Sequence, residues 1–167
     1  MKNFKMFVWI AVLLIIQTVT AHYIRIFDVA PLVLLPFAVA AALLEDNFSY
    51  AEIIGVICGL CAGTFTGRNF FISVFAVTFT AVAVMNLRER PRYVNNIWKM
   101  LFWTAAVTFI WEALEYFMLY HSFSGYGRAP FSKTVLLIIY NSLLSFIIYP
   151  LLRKTVYNKE EKKKLII

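Results

Sequence analysis

Six apolar runs, separated by short polar breaks, divide the chain. They cover Phe4–Tyr23, Val29–Leu44, Ala51–Thr66, Phe70–Leu87, Ile97–Tyr120 and Thr134–Leu152. A helix needs about 20 apolar residues to cross the hydrocarbon layer of a bilayer. The first, fourth, fifth and sixth runs meet that need, whereas the second and third are marginal and predict an antiparallel hairpin or a re-entrant pair. The pattern predicts an all-α integral membrane protein, a compact bundle of about six transmembrane helices spanning residues 1–152, followed by a basic tail, 153–167.

Local signals give this hairpin a predicted shape. Pro31 suits the first turn of a helix, and Pro36 then falls inside the second run, where it should kink the helix. Ser49 and Glu52 have the spacing of a capping box, so the third helix should begin close to Ser49. We therefore expect a kinked short helix followed by a helix with a groove of glycines.

The composition and the placement of charge agree with membrane embedding. The chain is 62% hydrophobic and has a mean hydropathy of +0.75, well above a soluble domain. With the N-terminus inside, the inner segments hold twelve of the 16 Lys and Arg residues, and the outer loops hold only Arg25, Arg68, Arg128 and Lys133. An excess of Lys and Arg on the cytoplasmic side sets orientation. The bias predicts cytoplasmic termini and a multi-pass protein of the plasma membrane.

The same bias explains the net charge of +7. Basic residues that flank membrane spans orient the chain and attract the anionic membrane lipid of the inner leaflet. No segment outside the spans is long enough to fold around a nucleic acid. We expect no nucleic-acid partner.

Four glycines, Gly55, Gly59, Gly63 and Gly67, are spaced by four along the third run and the residue that follows it. Residues four apart share a helix face, so the row predicts a groove along which another helix can approach to backbone contact. That helix could belong to a partner protein or to this protein's own bundle. Beside the row, Cys58 and Cys61 form a CxxC at membrane depth, which favours small residues filling a helix interface over a redox or zinc site.

Three polar residues inside the runs are candidates for function. Glu112 and Glu115 share one face of the fifth helix, in the outer half of the bilayer or near its edge. They could line a polar pocket or contact a cation of another subunit. Alternatively Glu115 is hydrated, and Glu112 pairs with Arg68 or Arg25. Asn141 in the last run, like Gln17 in the first, is interpreted as an interhelical hydrogen-bonding residue.

Two stretches of sequence resemble MreD, the rod shape-determining membrane protein family of bacteria. The first runs from Pro31 through a short polar turn to Ile54-Gly-Val-Ile-Cys-Gly-Leu, and the second runs from Tyr140-Asn-Ser-Leu-Leu to Tyr149-Pro-Leu-Leu-Arg. The resemblance covers nearly the whole chain in layout. One departure is that many members have an aspartate where this chain has Gly63.

The resemblance implies a non-enzymatic subunit of the cell-elongation machinery. It would bind an MreC-like protein through the glycine-row helix and lie beside RodA, a penicillin-binding transpeptidase and MreB filaments. It implies no cofactor, no metal and no catalytic residue.

A second class remains open, the substrate-binding membrane subunit of a vitamin importer of the energy-coupling-factor type. Such a protein is also a six-span bundle with small-residue packing rows. It needs an outer pocket lined by aromatic and polar groups, which Trp111, Glu112, Glu115, Tyr116, Tyr126 and Arg128 could supply. Against it, the first run has no Ala-x-x-x-Ala coupling motif. A lipid-modifying enzyme is disfavoured because the chain has no clustered Asp or His set.

Overall fold

A computed structural model describes residues 2–23, 29–66, 70–87, 97–122 and 131–157. These residues form six α-helices: α1 (Lys2–Tyr23), α2 (Leu34–Leu44), α3 (Phe48–Thr66), α4 (Phe70–Leu87), α5 (Ile97–Ser122) and α6 (Phe131–Leu152). A π-helical turn, Arg153–Tyr157, continues α6. The all-helical prediction is confirmed for this part of the chain.

Four helical stretches are long and apolar enough to cross a membrane: Asn3–Thr20, Phe70–Leu87, Ile97–Met118 and Ser132–Tyr157. Their outward faces carry large apolar side chains, among them Phe7, Phe71, Phe102 and Ile147, all well exposed on the bundle surface. Such faces are stable against lipid and unstable against water. The protein is therefore a membrane protein.

Helix α2 is the centre of the bundle. It has only 11 residues, so it is about 16 Å long and covers about half of the hydrocarbon layer. Every residue from Leu34 to Leu43 is buried, because α1, α3, α4, α5 and α6 all pack against this helix. Four of its residues are alanines, Ala38 and 40–42, and their small side chains let several helices approach at once.

The start of α2 differs from the prediction. The second run was expected to be helical from Val29, yet the helix begins at Leu34, and Pro31 lies in the irregular segment before it. Pro36 consequently lies in the first turn of α2, where its missing N–H removes no intrahelical hydrogen bond. The expected kink at Pro36 is wrong for that reason.

The turn after α2 is held by its own side chains. Asn47, rather than Ser49, caps α3: its side-chain oxygen accepts a hydrogen bond from the Tyr50 amide at 3.3 Å, and its carbonyl accepts one from the Ala51 amide at 3.1 Å. Helix α3 therefore begins at Phe48, one residue from the predicted start, although the capping residue was predicted wrongly.

The first and last helices meet at one end of the bundle. The Lys5 ammonium donates to the Thr155 carbonyl at 2.8 Å, and the Trp9 indole N–H donates to the Thr155 hydroxyl at 2.9 Å. Val156 and Tyr157 are buried, so the packed bundle extends past the boundary expected after Leu152. The rest of the predicted tail, 158–167, lies outside the described residues.

Candidate functional site

The irregular segment before α2 is bound by amide side chains from two other helices. The Gln17 side-chain oxygen on α1 accepts from the Val33 amide at 2.6 Å, and its nitrogen donates to the Pro31 carbonyl at 3.0 Å. The Asn141 side-chain oxygen on α6 accepts from the Leu32 amide at 2.9 Å. Gln17 and Asn141 are both fully buried. Backbone groups that an α-helix would have satisfied internally are therefore satisfied by side chains.

This polar network continues between α5 and α6. The Asn141 side-chain nitrogen donates to the Thr108 hydroxyl at 3.0 Å, and the hydroxyls of Ser145 and Thr104 lie 3.0 Å apart. Thr108 also donates to the carbonyl of Thr104 at 2.8 Å. We call Gln17, Thr104, Thr108, Asn141 and Ser145 the α2 polar network. It joins α1, α5 and α6 to the backbone before α2.

The chemistry of this network is structural. Its members are amides and hydroxyls, which do not titrate near neutral pH, and their polar atoms bind each other or backbone groups. The interpretation of Gln17 and Asn141 as interhelical hydrogen-bonding residues is confirmed. The two threonines and the serine were missed, although each pair, Thr104 with Thr108 and Asn141 with Ser145, has the spacing of one helix face.

A second polar cluster closes the other end of α2. Glu45 is 2% exposed, and one of its carboxylate oxygens accepts the Tyr157 hydroxyl at 3.1 Å. The other oxygen accepts the amides of Asp46 and Asn47 at 3.1 and 3.3 Å. A buried carboxylate is stable only with such partners. The turn after α2 is thereby tied to the π-helical turn after α6, a contact that the sequence pattern did not indicate.

The glycine row packs against α4 of the same chain. An added Cβ would lie 2.7 Å from the Val74 Cα at Gly59, 2.9 Å from the Ala81 Cβ at Gly55 and 3.0 Å from the Phe70 Cα at Gly63. The first two distances are too short for an unshifted carbon, and the third is tighter than most contacts of a Cβ. The predicted close helix packing is confirmed for these three positions, and Gly67 lies outside the described residues. At these three positions the opposing helix is α4 of the same chain, the second of the two occupants that the row predicted.

The cysteines and carboxylates on the remaining helices have separate environments. Cys58 is buried and Cys61 is partly buried, and both are free thiols. This arrangement agrees with residues that fill an interface. Glu112 and Glu115 are half-buried on α5, and neither is without an interaction partner. Their proposed cationic partners, Arg25 and Arg68, lie outside the described residues.

With the Thr78 hydroxyl, Trp111 is one of two exceptions to the satisfied interior of the described residues. Its side chain is fully buried, and its indole N–H has no hydrogen-bond partner among the described residues. By its spacing it shares a face of α5 with Thr104, Thr108 and Glu115. Two further residues of the predicted outer pocket, Tyr126 and Arg128, lie outside the described part of the chain.

Within the described ranges, no group of three or more His, Cys, Asp or Glu side chains could hold a metal ion. Two polar clusters thus lie in the described interior, one at each end of α2. Comparison with protein-family models, with curated proteins and with solved structures finds no match for this chain.

Proposed function

We propose that the protein is a non-enzymatic membrane scaffold subunit of the bacterial cell-elongation machinery, similar to MreD. The observation that carries the proposal is the α2 polar network. Gln17 and Asn141, the two amides buried in the helices, are both engaged in holding the backbone before α2. Both of these amides bind groups of the protein itself. Such a bundle is suited to binding partner proteins through its outer surface. The resemblance in the hairpin and in the last helix points the same way.

The proposal includes a topology of six membrane crossings in the plasma membrane, with both termini in the cytoplasm. It is supported by the hydrogen bonds that bring the start of α1 and the end of α6 together and by the distribution of Lys and Arg. An even number of crossings follows from termini on one side. In this topology α2 and α3 form a hairpin, and the segment before α2 completes the crossing that α2 is too short to make alone.

The partner surface in this proposal is the outer face of the bundle. Since α4 fills the glycine groove, an MreC-like protein, RodA, the transpeptidase and MreB would have to contact other faces. The outward side of α4 is one candidate, because Phe75 and Phe79 are exposed there and stack with ring centroids 5.8 Å apart. Aromatic side chains contribute strongly to protein interfaces.

Co-purification tests the proposal. The tagged protein is extracted from its native membrane in mild detergent, and the bound proteins are identified by mass spectrometry. We expect wall-synthesis subunits, with reduced recovery for a variant in which Phe75 and Phe79 are both changed to Ala. A matched control changes Phe4 and Phe7 to Ala, which removes two exposed phenylalanine rings from α1 instead of α4. Recovery of ATPase subunits instead of wall-synthesis proteins would overturn the proposal.

One observation favours the vitamin-importer alternative, the unpaired indole N–H of Trp111. A buried donor without an acceptor costs free energy, which a ligand could recover. Calorimetry on the purified protein tests this alternative. Nanomolar binding of a vitamin that is lost in the Glu112→Gln, Glu115→Gln double variant would favour it over the scaffold, because a shape-determining subunit has no need of such a ligand.

A further inference from the structure

The junction of α1 and the π-helical turn carries two cations that have no acidic partner among the described residues. Lys5 is half-buried on α1, and the only polar contact of its ammonium among the described residues is the Thr155 carbonyl at 2.8 Å. Lys154, the neighbour of Thr155, is exposed and makes no hydrogen bond or ion pair within the described chain. The Lys5 ammonium thus contacts the residue that follows Lys154 in the π-helical turn.

Among the described residues, Glu45 is the acidic side chain bonded to the π-helical turn. Glu45 reaches this turn through Tyr157, and its buried carboxylate accepts hydrogen bonds from that hydroxyl and from two backbone amides. Within the described chain, neither lysine is paired with an acidic side chain. An ammonium in this situation gains free energy from an external anion.

The surroundings of these lysines are apolar and face outward. Phe4 is 73% exposed and Phe7 is 70% exposed on α1, and Leu151 is 43% exposed at the end of α6. Trp9, whose indole N–H is fixed on the Thr155 hydroxyl at 2.9 Å, adds an aromatic side chain of the type that concentrates where membrane meets water. Acyl chains can cover the apolar side chains while a headgroup lies beside the ammonium groups.

We propose that the junction of α1 and the π-helical turn, formed by Lys5, Trp9 and Lys154, binds an anionic phospholipid through its phosphate. The Thr155 carbonyl orients the Lys5 ammonium and leaves two of its three N–H donors for phosphate oxygens. Lys154 supplies a second charge. A zwitterionic lipid is disfavoured because its own ammonium offsets the attraction. The proposal depends on the membrane embedding of the chain and is independent of the scaffold role.

Lipid titration followed by native mass spectrometry tests this site. Protein in a neutral detergent is titrated with phosphatidylglycerol or with phosphatidylcholine of the same acyl chains, and bound lipids are counted. A Lys near an anionic lipid surface contributes about 1 kcal/mol, equivalent to about five-fold in affinity. We expect tighter binding of phosphatidylglycerol, about five-fold weaker in Lys154→Gln, and no preference between the lipids in the Lys5→Gln, Lys154→Gln double variant.

Lys99→Gln is the matched control, because it removes one charge from the start of α5 rather than from this junction. We expect it to keep the preference, and we expect excess inorganic phosphate not to displace the lipid. Because the Lys154 side chain is exposed, Lys154→Gln should melt at the temperature of the unmodified protein and remains informative if the double variant does not fold. Equal losses in Lys154→Gln and Lys99→Gln, displacement by inorganic phosphate, or no preference in the unmodified protein would each overturn the proposal.

Discussion

At the scale of single residues, two side-chain amides supply the hydrogen bonds that a helical turn would otherwise provide. Asn141 and Gln17 accept hydrogen bonds from the consecutive amides of Leu32 and Val33, which would otherwise be unpaired in an apolar interior. An unpaired buried amide costs about 1–3 kcal/mol. The irregular backbone before α2 is therefore as dependent on α1 and α6 as on its own sequence.

We expect Asn141→Leu to destabilise the protein by about 1–3 kcal/mol, because Leu keeps the volume but leaves the Leu32 amide and the Thr108 hydroxyl without Asn141. The measurement is the free energy of unfolding in mixed micelles. Ser142→Ala, one residue along α6, is the control and should cost less than about 0.5 kcal/mol. Equal stabilities of Asn141→Leu and the unmodified protein would show that the network is dispensable.

The sequence allowed two of the five members of this network to be predicted. A lone amide within an apolar run needs a partner, so hydrogen bonding by Gln17 and Asn141 could be expected. Their partners could not be, because the segment 29–33 also matches an apolar helical pattern and its irregular backbone depends on distant side chains. Local propensity is a weak guide where tertiary contacts decide.

At the scale of elements, the close-packing face of α3 was the most predictable feature. The spacing of the glycines encodes a smooth face directly, and three of them contact α4. The spacing could not show whether the opposing helix belongs to this chain or to a partner protein. The effect of Pro36, in contrast, depends on where the helix begins. Because the five residues before Leu34 are not helical, Pro36 lies in the first turn of α2 and does not kink it.

We expect Gly59→Leu to insert normally but to destabilise the protein by about 3 kcal/mol, since even a Cβ would lie 2.7 Å from the Val74 Cα. Insertion is checked by membrane fractionation and stability by thermal unfolding in detergent. Ile57→Leu, on the exposed side of the same helix, should leave both unchanged. A fully stable Gly59→Leu protein would mean that α3 and α4 can separate without loss.

At the scale of the whole molecule, five helices surround a sixth that is too short to cross the bilayer alone. Counting apolar residues predicted a marginal second span, yet it gave no sign that this span is the core. Its uniform burial follows from packing on all sides, which a one-dimensional pattern cannot distinguish from lipid exposure on all sides. The exposed Phe and Ile residues of α1, α4 and α6 are equally apolar.

We expect reporter fusions after Asn47, after Arg90 and at the C-terminus all to report a cytoplasmic location. The charge bias favours that side, and the contacts of Lys5 and Trp9 with Thr155 place the start of α1 and the end of α6 together. A fusion after Thr64, near the opposite end of α3, is the internal control and should report the external side. A C-terminus outside the cell would require an odd number of crossings.

The bond between Tyr157 and Glu45 also bears on the order in which the chain can fold. Glu45 emerges from the ribosome more than a hundred residues before the hydroxyl that it accepts, and Asn141 is likewise made long after Leu32. During synthesis α2 has neither its last hydrogen-bond partners nor its full cover of helices. The core of this protein is therefore completed last, when α6 arrives, and a chain that stops short of α6 would leave its most buried helix for quality-control proteases to recognise.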